Sequence, residues 1–179
     1  MLHDSALTSF KNMTRYLLLI AALTVGLHAR EISNAKLRFK IAFPDAPGWS
    51  TVNRESQGTE AQSWSAESQA ARLVLIFSAI NNPPTEVKPA FKDQAAAWEK
   101  QMMPRFTRKI SSRFAMLAGH EAYELVATIE NEKMGVLYYS IWMMPVGKLT
   151  YGATILSDDR AKLTGETATA FLDSLEITE

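Results

Sequence analysis

The sequence predicts an α/β sandwich of the α+β kind, a central antiparallel β-sheet with helices on both faces. Three observations carry this. The second half of the chain holds consecutive strand-like runs separated by short polar turns, which join as antiparallel hairpins. Several of these runs are apolar on both sides, so both faces of the sheet need cover. Two stretches with helical spacing, one mid-chain and one near the end, are available to supply it from opposite sides.

In chain order, residues 1–29 read as a secretory signal peptide. Lys11 and Arg15 precede the apolar run Tyr16–Leu27, and His28-Ala29 leads into polar sequence at Arg30 and Glu31. The run is short of the roughly 20 residues that cross a bilayer. Cleavage is expected after Ala29, with bulky Leu27 at the third position back working against it; an uncleaved anchor and a buried amino-terminal helix are the alternatives. With no cysteine in the chain there is no site for lipid attachment. Residues 30–179 are then expected to form a single domain.

Leu37 to Phe43 alternates, with Leu37, Phe39, Ile41 and Phe43 on one side and Arg38 and Lys40 on the other, as in a half-buried strand. Pro44-Asp45 and Pro47-Gly48 end it as turns. A short strand is expected over Trp49–Val52, a polar loop over Asn53–Thr59, and another short strand over Glu60–Ser65 with Trp64 inward. Arg72–Ala79 is a firmer strand, stopped by Asn81-Asn82-Pro83-Pro84. Pro89–Met103 is a helix: Phe91, Ala95, Trp98 and Met102 make one apolar stripe, the run Ala95–Ala97 favours helix, and Pro104 limits it.

Thr107–Leu117 is extended, anchored by Ile110, Phe114 and Leu117, and Ala118-Gly119-His120 turns. Glu121–Glu130 alternates, with Tyr123, Leu125, Ala127 and Ile129 on one face and Glu124 and Thr128 on the other. Asn131–Lys133 is a polar turn. The hairpin that follows organises the rest: Val136–Met144 is apolar on both faces, Pro145–Lys148 turns with Gly147 free to take a positive φ, and Leu149–Leu156 returns. Asp158 or Asp159 is placed to cap a last helix from about Arg160 to Leu175, with Leu163, Phe171 and Leu175 on one side and Gly165 weakening it.

The chain of 179 residues balances 19 basic against 19 acidic residues. It therefore has no general attraction to nucleic acid or to an anionic membrane. The missing cysteines exclude a disulfide scaffold and a cysteine zinc site.

The order of elements resembles the PsbP/Mog1-like superfamily, including its exported bacterial members of unknown function. The resemblance rests on Phe39–Pro44 followed by Gly48-Trp49, on the helix Ala90–Met102, on Leu117–Tyr123, on the aromatic strand Tyr138–Trp142, and on Lys148–Tyr151 leading to a helix that ends at Ser174-Leu175. It covers nearly all of the chain after the leader. It implies the fold and an assembly or adaptor role. These are turn and core residues, and they imply no catalytic group. The plain secretory leader sets the chain apart from photosystem and small-GTPase partners.

No residue set amounts to a catalytic, cofactor or metal site, so none is assigned. His120 is the one histidine after the leader; Glu121 and Glu124 are near, but nothing supplies the three or four ligands of a zinc centre, and a surface position in a turn accounts for it. Asp158-Asp159 lacks a calcium-loop pattern and suits helix capping. No serine sits in a Gly-x-Ser-x-Gly elbow, and Gly147 and Gly152 form no phosphate loop. Of the four tryptophans, Trp98 and Trp142 are expected in the core; Trp49 or Trp64 would line a groove beside Phe43 and Pro47, or pack over the sheet edge. The reading is an exported non-enzymatic accessory or adaptor protein, periplasmic or secreted, with a protein partner in the cell envelope and no stable membrane insertion after cleavage. A small-ligand binding module is the alternative, and a hydrolase with a dispersed site a further one.

Overall fold

The computed structural model describes residues 29–55, 61–82, 89–132 and 135–178. The expected signal peptide up to residue 28, the loop at 56–60, and Pro83, Pro84 and Lys133 lie outside these. The strands are β1 (Ala29–Asn34), β2 (Phe39–Pro44), β3 (Ser50–Glu55), β4 (Ala61–Ser68), β5 (Leu73–Asn81), β6 (Arg108–Leu117), β7 (His120–Asn131), β8 (Gly135–Val146), β9 (Leu149–Ser157) and β10 (Glu176–Ile177). The helices are α1 (Phe91–Met102) and α2 (Glu166–Asp173).

Seven strands make one sheet in the order β3-β4-β5-β9-β8-β7-β6, antiparallel throughout. β2 lies between β1 and β10 in a second, three-stranded antiparallel sheet. This is the α/β sandwich that the pattern predicts, with the small sheet as an addition. β1 escapes sequence reading because Arg30, Glu31 and Ser33 are exposed and only Ile32 offers an apolar contact. Its pairing with β2 comes from backbone alone.

One face of the large sheet carries Trp64 and Ala66 of β4, Leu73, Leu75, Phe77 and Ala79 of β5, and Tyr151, Ala153 and Ile155 of β9, all buried. Against it pack Phe39, Ile41 and Phe43 of β2 together with Leu163, Ala168, Phe171 and Leu175. Phe39 joins the two sheets, its ring 4.9 Å from Trp64 and 4.7 Å from Phe77. Phe43 meets Phe171 of α2 at 5.1 Å. The buried Tyr151 hydroxyl donates to the carbonyl of Leu37 at 2.9 Å, which ties the turn before β2 to the floor of the large sheet. The strict alternation of β2 therefore faces another sheet.

The opposite face is covered over β7 and β8 by α1. Ala95 is buried among Tyr123, Leu125 and Met143, with Phe91, Trp98 and Met102 alongside, which is the predicted stripe. The helix begins at Phe91 because Ala90 is still extended at ψ 146. A 3-10 turn, Met103–Arg105, carries it past Pro104, which needs no N–H partner in a first turn.

Other boundaries differ from the sequence reading. β3 continues to Glu55, so Asn53 is strand rather than loop. Pro145 and Val146 still belong to β8, and the turn is only Gly147-Lys148, with Gly147 at φ 62. Gly152 is needed for close approach, since a Cβ there would sit 2.6 Å from Ser78 Oγ. The single terminal helix is instead a 3-10 turn, Arg160–Thr164, followed by α2, because Gly165 between them is extended at ψ 170. Asp159 caps that turn by accepting the Ala161 N–H at 2.9 Å. No helix among the described residues is long and apolar enough to cross a membrane.

Candidate docking surface along an edge strand

β6 ends the large sheet, paired on one side with β7. The β6–β7 hairpin turns through Ala118 and Gly119, both left-handed at φ 50 and 78, a two-residue turn of the kind that matches strand twist. Leu117 and His120, which flank it, form the first hydrogen-bonded pair. Alternation from there makes Met116, Phe114 and Ser112, opposite Glu121, Tyr123 and Leu125, the non-hydrogen-bonded positions. Their N–H and C=O groups point away from β7, into the open edge.

The side chains of these residues lie on the α1 side. Phe114 is 42% exposed and Met116 66%. Phe114 was expected as an anchor beside Ile110 and Leu117, and only Leu117 is buried. The register shifts between Lys109 and Ser111, which leaves Ile110 unpaired in a bulge, and Phe114 has no further strand beside it. Its ring rests edge-on against Phe91 at 5.5 Å and tilted against Tyr123 at 5.0 Å; Tyr123 in turn meets Trp98 at 6.1 Å. An aromatic ladder thus runs from under α1 to the surface.

Where α1 crosses β6 and β7, Lys109 Nζ donates to Glu99 Oε1 at 2.5 Å, and the Tyr123 hydroxyl donates to the other oxygen. Burial alone would raise the Glu99 carboxyl. The hydrogen bonds from Lys109 and Tyr123 and the attraction of the Lys109 ammonium outweigh it and hold the group below its ordinary value of 4.5. Tyr123 is pushed up by burial and by the adjacent carboxylate. A depressed carboxyl stabilises the fold above its unfolded pKa, and that contribution is lost as pH falls through the folded one. Glu99→Gln is therefore expected to cost about 1 kcal/mol at neutral pH, as a partly exposed pair does, and nothing once the wild-type carboxyl is protonated. Urea midpoints of both proteins followed from neutral pH into acid check this; a gap that stays constant would refute it.

The other face of the same strands holds a network that sequence reading missed. Glu124, expected on a polar face, is 6% exposed. It accepts from Arg113 Nε at 2.6 Å and from Ser140 Oγ at 2.7 Å. Trp142 Nε1 donates to Ser140 Oγ at 3.0 Å, and the Arg113 guanidinium lies 5.9 Å from the Trp142 ring centroid. Thr128, on the same face, is also buried, and its hydroxyl has no partner among the described residues. The available signal was Trp142 itself: a strand apolar on both faces leaves no wet side for the neighbour that pairs with it.

The other candidates are scattered. His120 opens β7 half-buried at the turn, and Glu121 is exposed on the opposite face from Glu124. Asp158 pairs with Arg72 instead of capping a helix. Trp64 is buried in the core, and Trp49 packs over it half-buried. Among the described residues no group of three or more histidines or carboxylates could hold a metal ion. A shallow hollow of about 330 Å³ is floored by Val74, Leu137 and Leu156 and rimmed by Glu67, Arg72 and Asp158.

No family model matches the chain, and no curated protein matches its sequence. Solved structures do match. The solution structure of cyanobacterial PsbP (CyanoP) from Synechocystis aligns at a TM-score of 0.60 and 11% identity, over 86% of this chain and 95% of that one. The fold is PsbP-like. A crystal structure from Bacteroides thetaiotaomicron aligns at 0.54 and 14% identity, over 79% of this chain and 46% of that one, so this chain spans about half of that protein's length. In this PsbP-like fold the resembling stretches fall on β2, α1, the β6–β7 turn, β8 and the β9–α2 connection. All of them are scaffold. The open-edge residues Ser112, Phe114 and Met116 lie outside them, while the rings beneath, Phe91, Trp98 and Tyr123, lie within them.

Proposed function

We propose that this PsbP/Mog1-like chain is an exported, non-enzymatic accessory protein that binds another envelope or secreted protein along β6. The supporting observation is the pairing of an open backbone edge with exposed Phe114 and Met116, set on a rigid aromatic base. Large exposed apolar side chains on a free edge are costly for a chain that meets nothing there. Export rests on the leader pattern of residues 1–29. β2 is built differently: Lys40 is its one exposed position, and its large apolar side chains are buried.

The test is a photo-crosslinking residue placed at Met116 in living cells, with Lys40 as the control position. One dominant adduct with an exported protein is expected from Met116 and none from Lys40. No adduct, or the same adducts from both positions, would overturn the reading.

A further inference from the structure

We infer that the β6 edge takes up an extended acidic segment of its partner as an added antiparallel strand, one in which carboxylates and apolar side chains alternate. The inference rests on the reading of β6 as a docking edge and deepens it. Three features of the strand converge on it.

The first is the backbone. Ser112, Phe114 and Met116 present unpaired N–H and C=O groups in regular spacing, as an incoming strand requires. The bulge at Lys109–Ser111 interrupts the regular spacing and fixes its register, and β6 continues beyond it to Arg108.

The second is the difference between the two faces. Phe114 and Met116 stand on the α1 side, while Arg113, opposite Glu124, and Arg108, opposite Thr128, stand on the other. Successive side chains of an added strand alternate between those faces. Residues beside Phe114 and Met116 must then be apolar, and residues beside Arg108 and Arg113 must suit cations.

The third is charge. β6 carries Arg108, Lys109 and Arg113 and no acidic residue, with Arg105 just before it. Among the described residues neither Arg105 nor Arg108 has an ion-pair partner. Lys109 is taken by Glu99. Arg113 uses only Nε on Glu124, and its side chain is 65% exposed, so the terminal nitrogens are open to a second carboxylate. Buried Glu124 and the Trp142 ring hold the guanidinium in place, which lowers the entropy lost on binding. Two exposed carboxylates lie on β7: Glu121, opposite Met116 on the apolar face, and Glu130, two residues past Thr128 on the Arg108 face, which forms no ion pair among the described residues. The same cations oppose a second copy of the chain, since two β6 strands would bring like charges into one short ladder.

The probe is a peptide of roughly nine residues, the length of an ordinary strand, alternating glutamate and valine. Its counterpart alternates lysine and valine. The purified protein is expected to bind the acidic peptide at least about tenfold more tightly, with an affinity that falls as salt screens the exposed charges. At saturation the amides of Ser112, Phe114 and Met116 should exchange more slowly. Arg108→Glu, at an exposed position, should weaken binding by about tenfold or more without moving the urea midpoint. Met116→Pro removes an N–H that β7 does not use, so circular dichroism should be kept while binding is lost. Equal affinity for both peptides, or protection at other strands, overturns the inference. Self-association through β6 without peptide, read by ultracentrifugation, overturns it in favour of a second copy. A dominant Met116 adduct in cells beside indifference to peptide charge would sink the acidic strand and leave the docking edge standing; loss of both would sink the edge itself.

Discussion

Phe39→Ala is expected to lower the unfolding free energy by about 4 kcal/mol, within the range for deleting a buried phenylalanine ring. The ring is nearly inaccessible and packs on Trp64 and Phe77 of the large sheet. Its removal loses the transfer energy of the benzyl group and leaves a void that two aromatic neighbours on a hydrogen-bonded sheet cannot close. The effect should also be local in a particular way. β2 is held to β1, a polar and exposed strand, and to β10, which has two residues. The small sheet stays on the large one through Leu37, Phe39, Ile41 and Phe43. Amides of β2 should therefore exchange with solvent well before those of β5 and β9 in the variant. Phe39→Leu, which keeps most of the volume, should cost less than about 1.5 kcal/mol. A small loss for Phe39→Ala, with exchange of β2 and β5 unchanged relative to each other, would mean that the small sheet is anchored elsewhere.

Most of the scaffold was legible because its residues alternate with a period that names the element. Leu37, Phe39, Ile41 and Phe43 announce a strand, and Phe91, Ala95, Trp98 and Met102 announce a helix laid on a sheet. What was not legible depends on pairing between distant segments. β5 joins β9 with Leu73 opposite Ser157, and no local pattern says so. β1 and β10 are strands only because β2 offers them a backbone, and their side chains carry no period. On β6 the sequence suggested a buried Phe114, since an aromatic residue in an extended run is usually core. The bulge at Ile110 and the position at the end of the sheet decide otherwise. Glu124 failed in the opposite direction. Alternation assigns it to a wet face, and only its place opposite Trp142, beside Arg113, makes that face dry. The exposed β6 edge and the buried network were thus both invisible for one reason: each is made by the register between paired strands, which residue type does not set.

Arg113→Met is expected to cost about 3 kcal/mol, the low end for breaking a buried ion pair, because it leaves the Glu124 carboxylate out of water with Ser140 as its one remaining donor. Glu124→Leu should cost less, about 1 kcal/mol, since the arginine left behind is largely exposed and water can solvate it. The double variant Arg113→Met/Glu124→Leu places two apolar side chains of similar bulk side by side and should recover most of the stability of the wild type. Urea unfolding of the four proteins gives the cycle. Equal costs for the two single variants, or losses that simply add in the double, would show that the pair is an exposed contact with no energetic coupling. The double variant also separates structure from function. It is stable, it keeps Phe114, Met116 and the open backbone of β6, and it lacks the Arg113 fork. If β6 accepts an acidic strand, this protein should fold as well as the wild type and bind the glutamate–valine peptide several-fold more weakly, because Arg113 then acts in binding through its terminal nitrogens and in folding through Nε alone.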